Sequence, residues 1–89
     1  MKIKDLVRDE LIGLYIEVIK SKNKSNEGIK GKIIDETRNT IVVEQENNKK
    51  RLFKNNININ VYIEDKIIPI DGRNLIGRPK ERIKIRRIR

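Results

Sequence analysis

Ile57-Asn58-Ile59-Asn60-Val61-Tyr62-Ile63-Glu64 is the most regular stretch of this chain, with an aliphatic residue at every odd position and a polar or aromatic one at every even position. Successive side chains of a strand point to opposite faces, so this alternation specifies a strand with one buried face. Glu64, Asp65 and Lys66 then turn the chain back into a second strand over 67–70, which Asp71-Gly72 closes.

The same pattern extends upstream. Residues 40–46 carry Ile41, Val42 and Val43 and read as a strand, followed by a tight turn at Asn47-Asn48 and another strand over 49–54. Residues 29–35 read as a strand with Gly31 inside it, and glycine within a strand marks a bend or bulge. The turn over 36–39 ends in Asn39, which tolerates a left-handed backbone. Leu14, Ile16 and Val18 alternate with Tyr15, Glu17 and Ile19, giving the first strand. A mobile polar loop is expected over 21–28, ending in Gly28. Five or six short strands at this spacing form an all-β, strongly bent antiparallel barrel. There is no room for the crossover helices of a parallel sheet.

The flanks differ from the middle. Over 4–11, Leu6, Val7 and Leu11 sit among charges at spacing that places 7 and 11 on one helical face, predicting a short amphipathic helix that must dock on something to be stable. Gly13 stops it. After the barrel over 13–72 comes a basic tail over 73–89, in which Pro79 suits a first helical turn. Arg82, Arg86 and Arg89 would line one face of such a helix. Ile83, Ile85 and Ile88 favour a docked helix over a frayed basic tail. With 89 residues, all of this is a single domain with a modest core.

Charge narrows the function. The 22 Lys and Arg residues exceed the 13 Asp and Glu, for a formal net charge of +9, a field that attracts phosphate backbones. An anionic membrane surface is the weaker competitor, and no apolar run approaches the roughly 20 residues of a membrane span. Nothing resembles a signal peptide, and a soluble, cytoplasmic protein is expected. The chain has no Cys and no His, which removes thiolate chemistry, cysteine zinc sites and the usual general base. Asp35-Glu36 is the one acidic pair worth weighing for metal or acid–base work. Neighbours on a strand face opposite ways, so turn chemistry, with Asp35 and Thr37 bonding local amides, is the better reading. No catalytic constellation and no metal site emerge.

The cations fall in three groups. Lys30, Lys32 and Arg38 form the first, and Lys49, Lys50, Arg51 and Lys54 the second. The third is Arg73, Arg78, Lys80, Arg82, Lys84, Arg86, Arg87 and Arg89. If the barrel brings the first two together they make a phosphate-binding face, which the tail extends. Aromatic residues are few (Tyr15, Phe53 and Tyr62), so no base-stacking platform is apparent. Recognition of folded RNA by shape and backbone is expected, with little base readout.

Three blocks carry a family resemblance. Gly28-Ile29-Lys30-Gly31-Lys32-Ile33-Ile34-Asp35-Glu36-Thr37-Arg38-Asn39-Thr40 is similar to the signature of the archaeal ribonuclease P protein component 1 family. Glu10-Leu11-Ile12-Gly13-Leu14 matches the approach to its barrel, and Asp71-Gly72-Arg73-Asn74-Leu75-Ile76-Gly77-Arg78-Pro79-Lys80-Glu81-Arg82-Ile83 its exit into a basic tail. The blocks occur in the family's order and span nearly the whole chain.

The resemblance implies an Sm-like barrel with terminal helices. It also implies a subunit of ribonuclease P, the ribonucleoprotein endonuclease that removes 5′ leaders from transfer RNA precursors, where the RNA performs the hydrolysis with Mg²⁺. In that family the protein pairs with a zinc-ribbon subunit, which makes Leu6, Val7 and Leu11 candidates for a protein interface and the cations above candidates for RNA contact. Asp71-Gly72 stands where ring-forming Sm proteins carry Arg-Gly, which argues against a homo-oligomeric ring. A ribosomal protein with a small barrel is the alternative reading. An adaptor whose charge serves only solubility is a third.

Overall fold

The computed structural model describes residues 11–77. The helix expected over 4–11, apart from Leu11, and the tail beyond Gly77 lie outside the described residues. So do Leu6, Val7, Arg78, Lys80, Arg82, Lys84, Arg86, Arg87 and Arg89.

Six strands follow one another: β1 (Tyr15–Ser21), β2 (Lys30–Glu36), β3 (Thr40–Gln45), β4 (Asn48–Phe53), β5 (Ile57–Ile63) and β6 (Lys66–Asp71). Short 3-10 turns at Lys24–Asn26, Lys54–Asn56 and Gly72–Leu75 complete the described residues. All pairings are antiparallel, in the order β4-β3-β2-β1-β5-β6. The expected all-β architecture is therefore present.

Connectivity requires the sheet to curl. Laid flat, β4 and β5 would stand four strand spacings apart, roughly 19 Å at ~4.8 Å each. The link from Phe53 to Ile57 could reach only about 14 Å if fully extended, and it is coiled into a 3-10 turn instead. The two ends of the sheet must therefore approach one another. Gly72 marks where they meet: a Cβ there would run into the Lys54 carbonyl oxygen and lie 2.7 Å from the Ile57 carbonyl oxygen. Gly31 does the equivalent on β2, where a Cβ would collide with the Glu44 carbonyl oxygen and sit 2.8 Å from its carbon.

Inside lie Leu11, Ile16, Val18, Ile33, Ile41, Val43, Leu52, Ile57, Ile59, Val61, Ile70 and Leu75 in one apolar cluster. The odd positions of the 57–61 stretch are all buried, as their alternation demands. Leu11, placed by the helical reading at a protein interface, is only 1% exposed and belongs to this core. Its backbone amide donates to Glu36 Oε1 across the end of the barrel, so the chain preceding β1 folds over the core.

Two details differ from the sequence reading. The β3–β4 turn is Glu46-Asn47, because Gln45 pairs with Asn48 and leaves a two-residue loop, with Glu46 at φ 55°. The 21–28 loop is pinned by its own side chains. Ser21 Oγ accepts from the Asn23 amide, Asn23 Oδ1 caps the 3-10 turn through the Ser25 amide, and Glu27 Oε2 accepts from the Ser21 amide.

Two substitutions check this geometry in urea unfolding. Gly31→Ala is expected to lower stability by about 1–3 kcal/mol, because backbone atoms occupy the space its methyl needs. Glu46→Gly is expected to raise stability by up to about 1 kcal/mol, by relieving a left-handed conformation that is costly for a residue with a Cβ.

Candidate nucleic-acid interface

The outward sheet face can be read row by row from the register. One row crosses all six strands: Ile67, Tyr62, Tyr15, Lys32, Glu44 and Lys49 are successive partners. Lys32 and Lys49, from two different sequence clusters, are thus brought onto one face with Glu44 between them. In the next row Glu17 stands between Asn60 and Lys30. Tyr15 and Tyr62 pack with ring centroids 6.1 Å apart, and Lys30 Nζ lies 5.6 Å from the Tyr62 ring. The Tyr62 hydroxyl donates to Glu17 Oε1 at 2.7 Å, and this bond to a carboxylate holds the phenol above its ordinary pKa.

Arg51 is on the same outward face and donates from Nη1 to Thr40 Oγ1 at 3.0 Å. Lys50 points to the other side of β4, as alternation requires, and is exposed there. Arg38 is exposed at the β2–β3 turn. The first two clusters therefore share a face only in part, through Lys30, Lys32, Lys49 and Arg51.

Lys54, expected among the phosphate contacts, is instead completely buried. Its Nζ donates to Glu36 Oε2 at 2.7 Å and to three carbonyl oxygens: Thr37 at 2.8 Å, Gly77 at 2.9 Å and Arg38 at 3.2 Å. The Gly77 amide in turn donates to the Arg38 carbonyl at 2.6 Å. One ammonium thus ties the β2–β3 turn to the far end of the described chain, while Glu36 ties it to Leu11. A β-bulge produces this arrangement. The β2–β3 register slips between Ile33 and Asp35, which turns Asp35 outward and Glu36 inward. Asp35 and Thr37 play the expected turn roles, accepting from the Glu36 and Thr40 amides. The inward role of Glu36 went unread, because the sequence marked a bend or bulge at Gly31 and nothing in it places one at Ile34. A signal for Lys54 did exist: counting by twos from buried Leu52 places it inside.

Sequence reasoning also passed over Lys20, Lys22 and Lys24. With Arg73 they line a cleft of about 430 Å³ between the first loop, the start of β5 and the end of β6. Their alternation with Ser21, Asn23 and Ser25 was the available sign. Two carboxylates share the cleft, and both are engaged. Glu27 holds the Ser21 amide, and Asp71 grips Arg73 through Nε and Nη2, the latter at 2.7 Å. Those bonds hold the Asp71 carboxyl below its usual range and the Arg73 guanidinium above its own. The stability Asp71 adds is present above its unfolded pKa and fades as pH falls through the lowered folded value. Because the pair is exposed, that contribution is small.

These features define a class: a small antiparallel barrel with cations on its sheet face and around one end. A family model for ribonuclease P/MRP, subunit p29, matches residues 4–85. The ribonuclease P protein component 1 of Thermofilum pendens is 48% identical over 90 residues, covering 97% of this chain and 96% of that protein. Its counterpart from Methanocaldococcus jannaschii is 44% identical over 81 residues, covering 90% and 85% respectively. A solved homologue of the human RNase P protein Rpp29 superposes with a TM-score of 0.60 at 34% identity, over 83% of this chain and 97% of the other. The chain belongs to the ribonuclease P/MRP subunit p29 family.

Lys54→Met is expected to cost about 3–5 kcal/mol, since it removes the counter-charge of the buried Glu36 carboxylate and a donor to three carbonyls. Lys49→Met, at an exposed site, should change stability by no more than about 0.5 kcal/mol. Equal losses in urea unfolding would show that Lys54 is not a structural cation.

Proposed function

We infer that this ribonuclease P protein subunit binds the RNA of the enzyme and supports its fold, leaving phosphodiester hydrolysis to the RNA. The observation that carries the reading is family membership across 4–85, in a chain of net charge +9 whose barrel carries cations on its face and at one end. Cations placed between RNA helices lower their mutual repulsion and release bound counterions. The chain lacks His and Cys, the side chains on which most protein-based hydrolysis relies.

On this reading the exposed contacts are Lys30, Lys32, Arg38, Lys49, Lys50, Arg51 and Arg73, extended by the basic tail. The substrate is the transfer RNA precursor, from which the 5′ leader is removed. Mg²⁺ serves the RNA and is not held by the protein. Partners are ribonuclease P RNA, a zinc-ribbon protein subunit and the other proteins of the complex, working in the cytoplasm. Leu6 and Val7 remain the interface candidates for the zinc-ribbon subunit. Leu11, buried in the core, is not among them.

The test is reconstitution of precursor cleavage at limiting Mg²⁺ from ribonuclease P RNA and its other proteins, with and without this chain. Stimulation is expected on adding the chain, with no cleavage by protein alone. Replacing Lys32, Lys49 and Arg51 together with Gln should raise the Mg²⁺ requirement while leaving cleavage intact at saturating Mg²⁺. A variant that bound RNA normally yet lost all cleavage at saturating Mg²⁺ would contradict the division of labour.

A further inference from the structure

Two clefts lie side by side where the Lys24–Asn26 and Lys54–Asn56 turns come together, and they share Ser21, Asn56 and Ile57 in their walls. The larger is the cationic cleft of Lys20, Lys22, Lys24 and Arg73. The smaller, about 280 Å³, has a different chemistry: Asn26 and Phe53 line it, with Lys50 and Arg51 beside them. Asn56 and Ile57 form the wall that it shares with the cationic cleft. Phe53 is 55% exposed although the neighbouring Leu52 and Lys54 are buried, which leaves an aromatic ring presented to solvent at the cleft.

An open aromatic ring in a cleft and adjoining cations are together what an unpaired nucleotide requires. Its base has a π-face to stack, and its phosphates need cations. A base-paired nucleotide fits poorly, because its face is already stacked. We propose that the adjacent clefts hold one unpaired RNA nucleotide. The base stacks on Phe53, and the flanking phosphates lie along Lys20, Lys22 and Lys24. This rests on the RNA-binding reading above and adds local readout to a surface that otherwise senses only backbone.

The test compares two RNA hairpins with the same stem, one carrying a single bulged nucleotide, by fluorescence anisotropy with the full-length chain over a salt series. The wild type is expected to prefer the bulged hairpin by roughly tenfold, the scale of one stacked base. Phe53→Ala should abolish that preference and Phe53→Trp keep it. Phe53→Leu, which keeps an apolar side chain without a ring, should also lose it, and serves if Phe53→Ala lowers the melting temperature. Replacing Lys20, Lys22 and Lys24 with Gln should weaken both hairpins and flatten the salt slope by about 2, at ~0.7–0.9 per phosphate contact. Equal, salt-dependent binding of the two hairpins by the wild type would overturn the nucleotide site and leave the RNA-binding reading standing. Failure to bind either hairpin in a salt-dependent way would overturn both.

Discussion

The buried ammonium of Lys54 is the constraint around which the described fold closes. Placing a charge in an apolar interior costs several kcal/mol unless its donors are matched. Here it meets one carboxylate and three carbonyl oxygens belonging to the β2–β3 turn and to Gly77. Of those carbonyls, that of Arg38 also accepts from the Gly77 amide. Glu36, the counter-charge, also accepts the Leu11 amide, so the segments before and after the barrel are anchored at one place. Such a pair need not make the fold more stable than an apolar pair of similar volume would. It does penalise alternative arrangements, because any that separates the two charges leaves one buried alone.

The surface follows from this interior. With the β2–β3 turn held down by Lys54, the β-bulge at Ile34 is retained, and Lys30 and Lys32 stay outward beside β1 while Asp35 faces solvent. Glu17 and Glu44 punctuate the cations of the sheet face, so its potential is softer than its lysine count suggests. The end of the barrel has the same balance, since Lys20, Lys22, Lys24 and Arg73 share their cleft with Glu27 and Asp71. Counterion release is therefore expected from both surfaces.

Much of the strand architecture was legible. Alternation at 57–63 and at 14–19 depends only on which side chains avoid water, and that property belongs to each residue whatever it later touches. Turn chemistry at Asp35, Thr37 and Asp71-Gly72 was legible for the same reason, since those bonds are local. The functional surface was legible as charge and family pattern, and less so as geometry. Lys54 was grouped with surface lysines by its neighbours in sequence, Leu11 was assigned to a helical face, and Lys20, Lys22 and Lys24 were passed over as loop filler.

The sequence by itself determined that this chain is a small, strongly basic, all-β protein with neither His nor Cys, of the ribonuclease P kind, because residue type, period and motif order are properties of the chain alone. Tertiary structure decided which cations face solvent, which lysine is spent inside, and that Asn26 and Phe53 share a cleft. Those outcomes turn on two β-bulges, one in β1 and one in β2, and on the meeting of two short turns about 30 residues apart. Bulges shift the inward phase of a strand, and sheet closure brings distant segments together. Neither effect is carried by the composition or period of any one segment.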